Sequence, residues 1–306
     1  MQLDQKLINS FETGLNPLKP EDSKISARIV GYGEMSTIFL IGDDSSIAYK
    51  RMPLFSSQKQ AGDYLAVYNE YCELLTQTGI SLPESGTCIV DLPDRPVILY
   101  IAQEMVPPER FGHRLIHTQN LKTNERMVRL IVDHSQKLWR FCAEHNPELE
   151  IAVDGQLSNW VHMDDGKDTL YYIDTSTPFI KKKGVHQLDP QVVLKTIPGL
   201  LRSFIKDKTV KEVLDRYYDP RKNMIDLVAN LFKEQKPDLI APFIDIINNK
   251  LPDGIAPLTF KDVKSYYRED KAIWALFLRL RRIDRWVTSK IRRKRYEYIL
   301  PGKIKR

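Results

Sequence analysis

The feature that most constrains this chain is Asp154-Gly155-Gln156-Leu157-Ser158-Asn159, followed by the strand-like run Leu170-Tyr171-Tyr172-Ile173 that ends on Asp174. An Asp, an Asn five residues later and a second Asp beyond a short hairpin can converge on one nucleotide–metal site. Two carboxylates and an amide are hard oxygen donors, and Mg²⁺ takes one or two carboxylates together with substrate phosphates. The hairpin reads as Trp160 to Met163, a turn at Asp164-Asp165-Gly166-Lys167, and Thr169 to Ile173.

Upstream, Ile25 to Ile29 leads into Gly31-Tyr32-Gly33-Glu34-Met35-Ser36, Thr37 to Ile41 gives a second β-branched run, and Ile47-Ala48-Tyr49-Lys50 a third. A glycine pair in a hairpin lets backbone approach a phosphate closely, because a Cβ would obstruct it. No helix follows this G-x-G, which argues against a dinucleotide fold. Gln58 to Thr78 reads as a helix, with Tyr64, Val67, Tyr68, Tyr71, Leu74 and Leu75 at three- and four-residue steps and with Glu70 and Glu73 inside it. Thr87 to Leu92 and Pro96 to Gln103 read as a hairpin whose second strand is almost wholly apolar, as a central strand should be. Asn120 to His145 is strongly helical, and His134 and His145 within it read as structural histidines.

Taken in order, these parts resemble the protein-kinase-like superfamily, closest in style to the small-molecule phosphotransferases of the aminoglycoside and choline kinase type. The resemblance covers about residues 28–179. It implies an α+β, bilobal protein-kinase-like fold, with a β-rich N-lobe over residues 1–105 and a helical C-lobe over residues 106–306. It implies ATP and Mg²⁺ as cofactors, with Gly31, Gly33 and Ser36 covering the phosphates, Ser36 standing where the third kinase glycine would be. Lys50 would bind the α/β-phosphates and be aimed by Glu70, with Glu73 the competing candidate. The backbone of Glu104 and Val106 would meet the adenine edge. Asp154 would orient the acceptor hydroxyl, while Asn159 and Asp174 would hold the metal. The departures are specific. Ala152-Val153 replaces the pair that precedes the catalytic Asp, Gln156 stands where kinases carry a Lys or His, and neither Phe-Gly after Asp174 nor an Ala-Pro-Glu segment occurs.

Charge separates the body from its end. Residues 279–306 hold twelve Lys/Arg against Asp284 and Glu297, and the other 278 residues hold 34 basic and 38 acidic ones. Residues 260–285 and then 286–298 interleave aromatics with these basic residues, the pattern of a segment that binds an anionic partner: a membrane surface, RNA or an acidic protein. Covering an acidic part of its own protein is the structural alternative. Lys181-Lys182-Lys183 reads as a solvated run. Cys72, Cys88 and Cys142 form neither a disulfide framework nor a zinc set. No secretory leader and no apolar run near the roughly 20 residues of a membrane helix is evident, so a cytoplasmic protein is expected. The function expected is ATP/Mg-dependent phosphoryl transfer to a small-molecule hydroxyl, with AMP transfer as an enzymatic variant. The alternatives are a catalytically impaired nucleotide-binding scaffold, or an RNA- or membrane-binding protein working through its basic end.

Overall fold

The computed structural model describes residues 1–33, 35–202 and 207–302. The turn signals of the first hundred residues produce a five-stranded antiparallel sheet, β1 (Ala27–Tyr32), β2 (Thr37–Ile41), β3 (Ile47–Phe55), β4 (Ser85–Val90) and β5 (Val97–Glu104), in the order β1-β2-β3-β5-β4. Strand β3 runs past the Lys50 at which its β-branched pattern stops. Pro53 is accommodated because the register with β5 shifts between Met52 and Phe55, a break in the ladder where a missing N–H costs little.

Alternation along β3 and β5 gives the sheet two buried faces. On one, Met52, Leu99 and Ile101 pack with Tyr64, Tyr68 and Tyr71 of helix α2 (Gln58–Gln77). On the other, Phe39, Tyr49 and Tyr100 pack with Ile8 and Phe11 of helix α1 (Gln5–Gly14) and with Ile299 from the far end of the chain.

The remainder is mainly helical. Helices α3 (Gly112–Thr118) and α4 (Leu121–His145) lead to β6 (Leu149–Ile151), the hairpin β7 (Trp160–His162) and β8 (Leu170–Tyr172), then β9 (Ile180–Lys182), which pairs with β6, and β10 (Val185–His186). Helices α5 (Pro190–Thr196), α6 (Gly199–Arg202), α7 (Asp207–Asp215), α8 (Pro220–Lys233), α9 (Ile240–Asn248) and α10 (Phe260–Trp286) follow. Asn120 caps α4 by accepting from the Thr123 amide. Pro190 and Pro220 begin their helices, where the missing N–H would be unpaired in any case, and Asp189 and Asp219 cap them. The β-rich first part and helical second part give the α+β architecture expected from the sequence. Helix α3 carried no periodic signal long enough to be anticipated. Glu34 in the glycine hairpin, Phe204 and the last four basic-tail residues, 303–306, lie outside the described residues.

The chain end departs from a continuous basic helix. After α10 comes one π-helical turn, Val287–Ile291. The chain then leaves the helix and buries Tyr296, Glu297, Ile299 and Leu300, with Ile299 and Glu297 set against the first sheet. Arg51 is the reason. Its Nε and Nη2 bond Glu12 at 2.7 and 2.8 Å, and its Nη1 and Nη2 bond the Glu297 carbonyl and carboxylate, each at 2.7 Å. Arg95 also bridges both glutamates, and the Tyr100 hydroxyl donates to Glu12. A guanidinium sealed under the sheet must have its donors met, and two carboxylates from opposite ends of the chain meet them. Among the described residues no helix is long and apolar enough to cross a membrane.

Candidate active site

The register across the first sheet sets Gly31, Ile38, Lys50 and Ile101 side by side on successive strands. Gly33 donates to the Ser36 carbonyl at 2.9 Å and closes the hairpin tightly; a Cβ there would lie 2.7 Å from the Ser36 hydroxyl, which would have to rotate away. From its place in this row, Lys50 reaches across to the second part of the chain. Its Nζ donates to Asp174 Oδ1 at 2.8 Å and to Ser176 Oγ at 3.1 Å, and Ser176 donates to the same carboxylate oxygen at 2.8 Å.

Asp174 is held by the β7–β8 hairpin. The Ile173 amide donates to the Asn159 carbonyl at 3.0 Å, so Asn159 and Asp174 are neighbours across the strand ends. The Asn159 side-chain amide donates to the Asp154 carbonyl at 3.2 Å. The Asp154 carboxylate accepts from the Gln156 amide at 3.1 Å in an Asx turn, and the Asp154 amide donates to the Tyr172 hydroxyl at 3.1 Å. Gly155 is pressed against α8, where a Cβ would meet the Asn223 side-chain oxygen at 2.4 Å, while the Asn223 amide donates to the Val153 carbonyl. The loop is thus fixed from below by α8 and from the side by the hairpin.

Burial alone would push the Asp174 carboxyl up, but the Lys50 charge and the Lys50 and Ser176 hydrogen bonds outweigh it and hold the group below the usual carboxylate range. About a third of the side chain, 34%, stays open to solvent. An anionic carboxylate that is partly open suits a hard divalent cation. Asn159, whose nitrogen is spent on Asp154, retains an oxygen for the same role.

Glu70 does not fill its expected place. It pairs with Lys182 of β9, Nζ to Oε1 at 2.7 Å, on the outer side of α2, and Lys50 takes Asp174 instead. Helical phase explains this. Tyr64, Tyr68 and Tyr71 define the inward face of α2, and Glu70, two residues past Tyr68, falls well off it. Glu73 is exposed. The inward face offers hydroxyls in place of a carboxylate: Tyr64 bonds the Ser176 carbonyl at 2.5 Å, Tyr71 the Ala152 carbonyl at 2.6 Å, and Tyr68 accepts from Thr175 at 3.4 Å. Burial holds all three phenols above their ordinary pKa, so they act as neutral donors and acceptors. Ser176 and these tyrosines were absent from the sequence-based set. The tyrosine periodicity was visible there, but it reads as core.

At the position of Glu104 the amide is already used, donating to the Glu84 carbonyl at 2.9 Å, and Met105 donates to Ser46. The Val106 amide donates to no carbonyl among the described residues. Gln156 faces a shallow recess lined by Asp226, Lys233, Tyr266 and Asp270. There burial, opposed by Arg216 and reinforced by Asp270, raises the Asp226 carboxyl to about 6. The lysine run is consumed by ion pairs: Lys181 with Asp215, Lys182 with Glu70 and Lys183 with Glu148. His134 and His145 bond the Leu130 and Phe141 carbonyls of their own helix.

Residues 20–285 match the sequence profile of DUF6206, described as a family of unknown function. The chain belongs to this family. No curated protein matches. Among solved structures, the GDP complex of wild-type aminoglycoside 2'-phosphotransferase-IIIa overlaps 78% of this chain and 97% of its own, at 11% identity and a TM-score of 0.37. The GDP and kanamycin complex of APH(2")-IIia overlaps 81% and 98%, at 11% identity and a TM-score of 0.38. At such scores the overlap concerns the general course of the chain and nothing of the site.

Proposed function

We propose that this protein is an ATP- and Mg²⁺-dependent phosphotransferase acting on a hydroxyl of a small molecule. The observation that carries the reading is the Lys50–Asp174 contact of 2.8 Å, a cation and a partly open carboxylate from the two parts of the chain, one strand-end away from Asn159 and its partner Asp154. Residues 1–105 would supply the phosphate side and residues 106–306 the acceptor side.

In this reading the Gly31–Ser36 hairpin covers the phosphates and Lys50 swings from Asp174 to the α/β-phosphates. The backbone at Glu104 and Val106 borders the base. Asn159 and Asp174 hold the metal, which would neutralise charge on the transferred phosphoryl group. Asp154 accepts a hydrogen bond from the acceptor hydroxyl and fixes its direction of approach. Most of the rate would come from positioning and charge neutralisation, since a loose transition state asks little covalent chemistry of the protein. Asp174→Ala should abolish Mg²⁺-dependent ATP stabilisation in thermal-shift measurements and lower γ-phosphate transfer by about a hundredfold or more. Unchanged binding and turnover in that variant would refute the assignment.

One observation favours a second reading, a nucleotide binder without turnover. Glu70 is engaged with Lys182, no carboxylate lies on the inward face of α2 among the residues that contact the loop, and Gln156 supplies no charge. ATP binding with no transfer across a panel of hydroxyl acceptors would select it.

A further inference from the structure

Helix α10 is 27 residues long and rich in apolar residues, yet its fully buried positions are Val263 and Arg281. Arg281 fixes which side faces inward. Its guanidinium donates to the Thr196 carbonyl and lies 4.6 Å over the Phe277 ring and 4.9 Å over that of Tyr298. Ile273, Leu276, Ile283 and Ile291 each lie roughly a quarter-turn or more around from Arg281 at 100° per residue. They are open to solvent at 66%, 54%, 39% and 60%, and Trp286 at the edge of this stripe at 57%. The stripe continues past the helix into the π turn, so its repeat extends over about five turns.

Basic residues border the stripe. Arg279, Arg282, Lys290, Arg292, Arg293 and Lys294 are all exposed. Asp284, the acid within 279–295, is turned inward, its oxygen close to Gly199. Ile273, Leu276, Ile283, Trp286 and Ile291 gather on one segment the large exposed apolar side chains that a surface meeting only water ordinarily scatters.

We infer that the outer face of α10 with the 287–294 segment is an interfacial docking surface for an anionic lipid bilayer, the aliphatic stripe entering the headgroup–acyl boundary and the arginines and lysines meeting the lipid phosphates. Charge complementarity selects this occupant. RNA would meet the same cations, but four of the five exposed apolar side chains are aliphatic and give it no ring to stack on, Trp286 being the one aromatic. A second copy docking on the same stripe would bring two rows of like charge together. A bilayer rewards both halves of the pattern, the apolar area by burial and the cations by the surface potential, and places an interfacial Trp where Trp286 stands. The inference concerns a face remote in role from the Lys50–Asp174 site and does not rest on the phosphotransferase reading.

The test is flotation of the full chain with vesicles of phosphatidylcholine alone and of phosphatidylcholine mixed with phosphatidylserine. Partitioning should be about tenfold or more stronger on the anionic vesicles and should weaken with added salt. The double variant Leu276→Asp/Ile283→Asp, both positions exposed, should melt like the wild type and lose about tenfold or more of that binding. Arg279→Glu/Arg282→Glu should lose the preference for phosphatidylserine. Absence of flotation with either vesicle overturns the proposal. So does flotation that survives Leu276→Asp/Ile283→Asp, or a salt-sensitive RNA complex formed in place of vesicle binding. A dimer in light scattering that the same double variant dissociates, with no flotation, assigns the stripe to self-association and likewise overturns it.

Discussion

Lys50 and Arg51 are consecutive residues on one strand, and the two faces of the sheet use them in opposite ways. On the front, Lys50 meets one carboxylate and one hydroxyl, and the carboxylate remains a third open to solvent. On the back, Arg51 is sealed with Glu12, Glu297, Arg95 and Tyr100, and each of its nitrogens is bonded. An ion pair left partly wet can be exchanged for a ligand's phosphate at small cost. One that is dry and fully bonded can only be kept or broken, because a lone charge stranded there has no water to fall back on. The contrast marks the front as a working surface and the back as a fastening.

The sharpest way to break this contrast is Arg51→Ala, which leaves two buried carboxylates with Arg95 alone to offset them. It should cost about 3–5 kcal/mol in urea unfolding, enough to threaten folding altogether. Burial raises the Glu12 and Glu297 carboxyls, but the Arg51 and Arg95 charges bring both below their ordinary values. Their contribution is therefore fully present above about pH 4.5 and is lost as pH falls through their lowered values, so the variant should also show a flatter acid limb.

Asp226 sharpens the point as a buried acid whose neighbours do not fully offset its burial. With its carboxyl raised to about 6 from 3.8, the native state keeps a proton the unfolded chain has released, and stability falls as pH rises between about 4 and 6. Asp226→Asn should be more stable than wild type above pH 6 by on the order of 1–3 kcal/mol, and the two unfolding curves should converge below pH 4.

Lys50→Ala should cost about 1–3 kcal/mol, less than Arg51→Ala because Asp174 keeps access to water, while weakening ATP binding by roughly tenfold or more, as loss of a charged hydrogen bond to phosphate implies. Isothermal titration and a melt on the same sample decide whether the front face is the exchangeable one. Equal stability losses for Lys50→Ala and Arg51→Ala would end the distinction between the faces. The smallest effect should come from Glu70→Ala. Its partner Lys182 is half exposed, and the change should stay within about 0.5 kcal/mol with nucleotide binding unaltered. A large loss of nucleotide binding there would return Glu70 to the role its spacing first suggested.

How much of this was legible in the chain depends on how local the information is. The β-branched runs and turn residues foretold β2 to the residue and most of β4 and β5, and α2 and α4 follow their apolar periods closely. The hairpin that sets Asp174 beside Asn159 could also be read, because a short turn enforces it. The pairing of Glu70 with Lys182 follows from its angle around the helix, which spacing along the chain does not carry; the tyrosine period does. Ser176 had no local signal. Its role exists only once Lys50, 126 residues away, arrives. The basic end was harder still. Its charge is conspicuous, but Glu297, an acid within it, determines where residues 295–300 go, through partners 246 and 202 positions earlier.

That last contact sets an order of events for a chain made from its N-terminus. The sheet containing Lys50 is encoded in the first third of the sequence, yet its rear stays incomplete, with Arg51 short of a carboxylate, until residues 295–300 have been synthesised and released. The rear of that sheet is therefore finished only after the segment that carries Glu297 has been made. A premature stop between α10 and Glu297 would be felt first on the strand that carries Lys50.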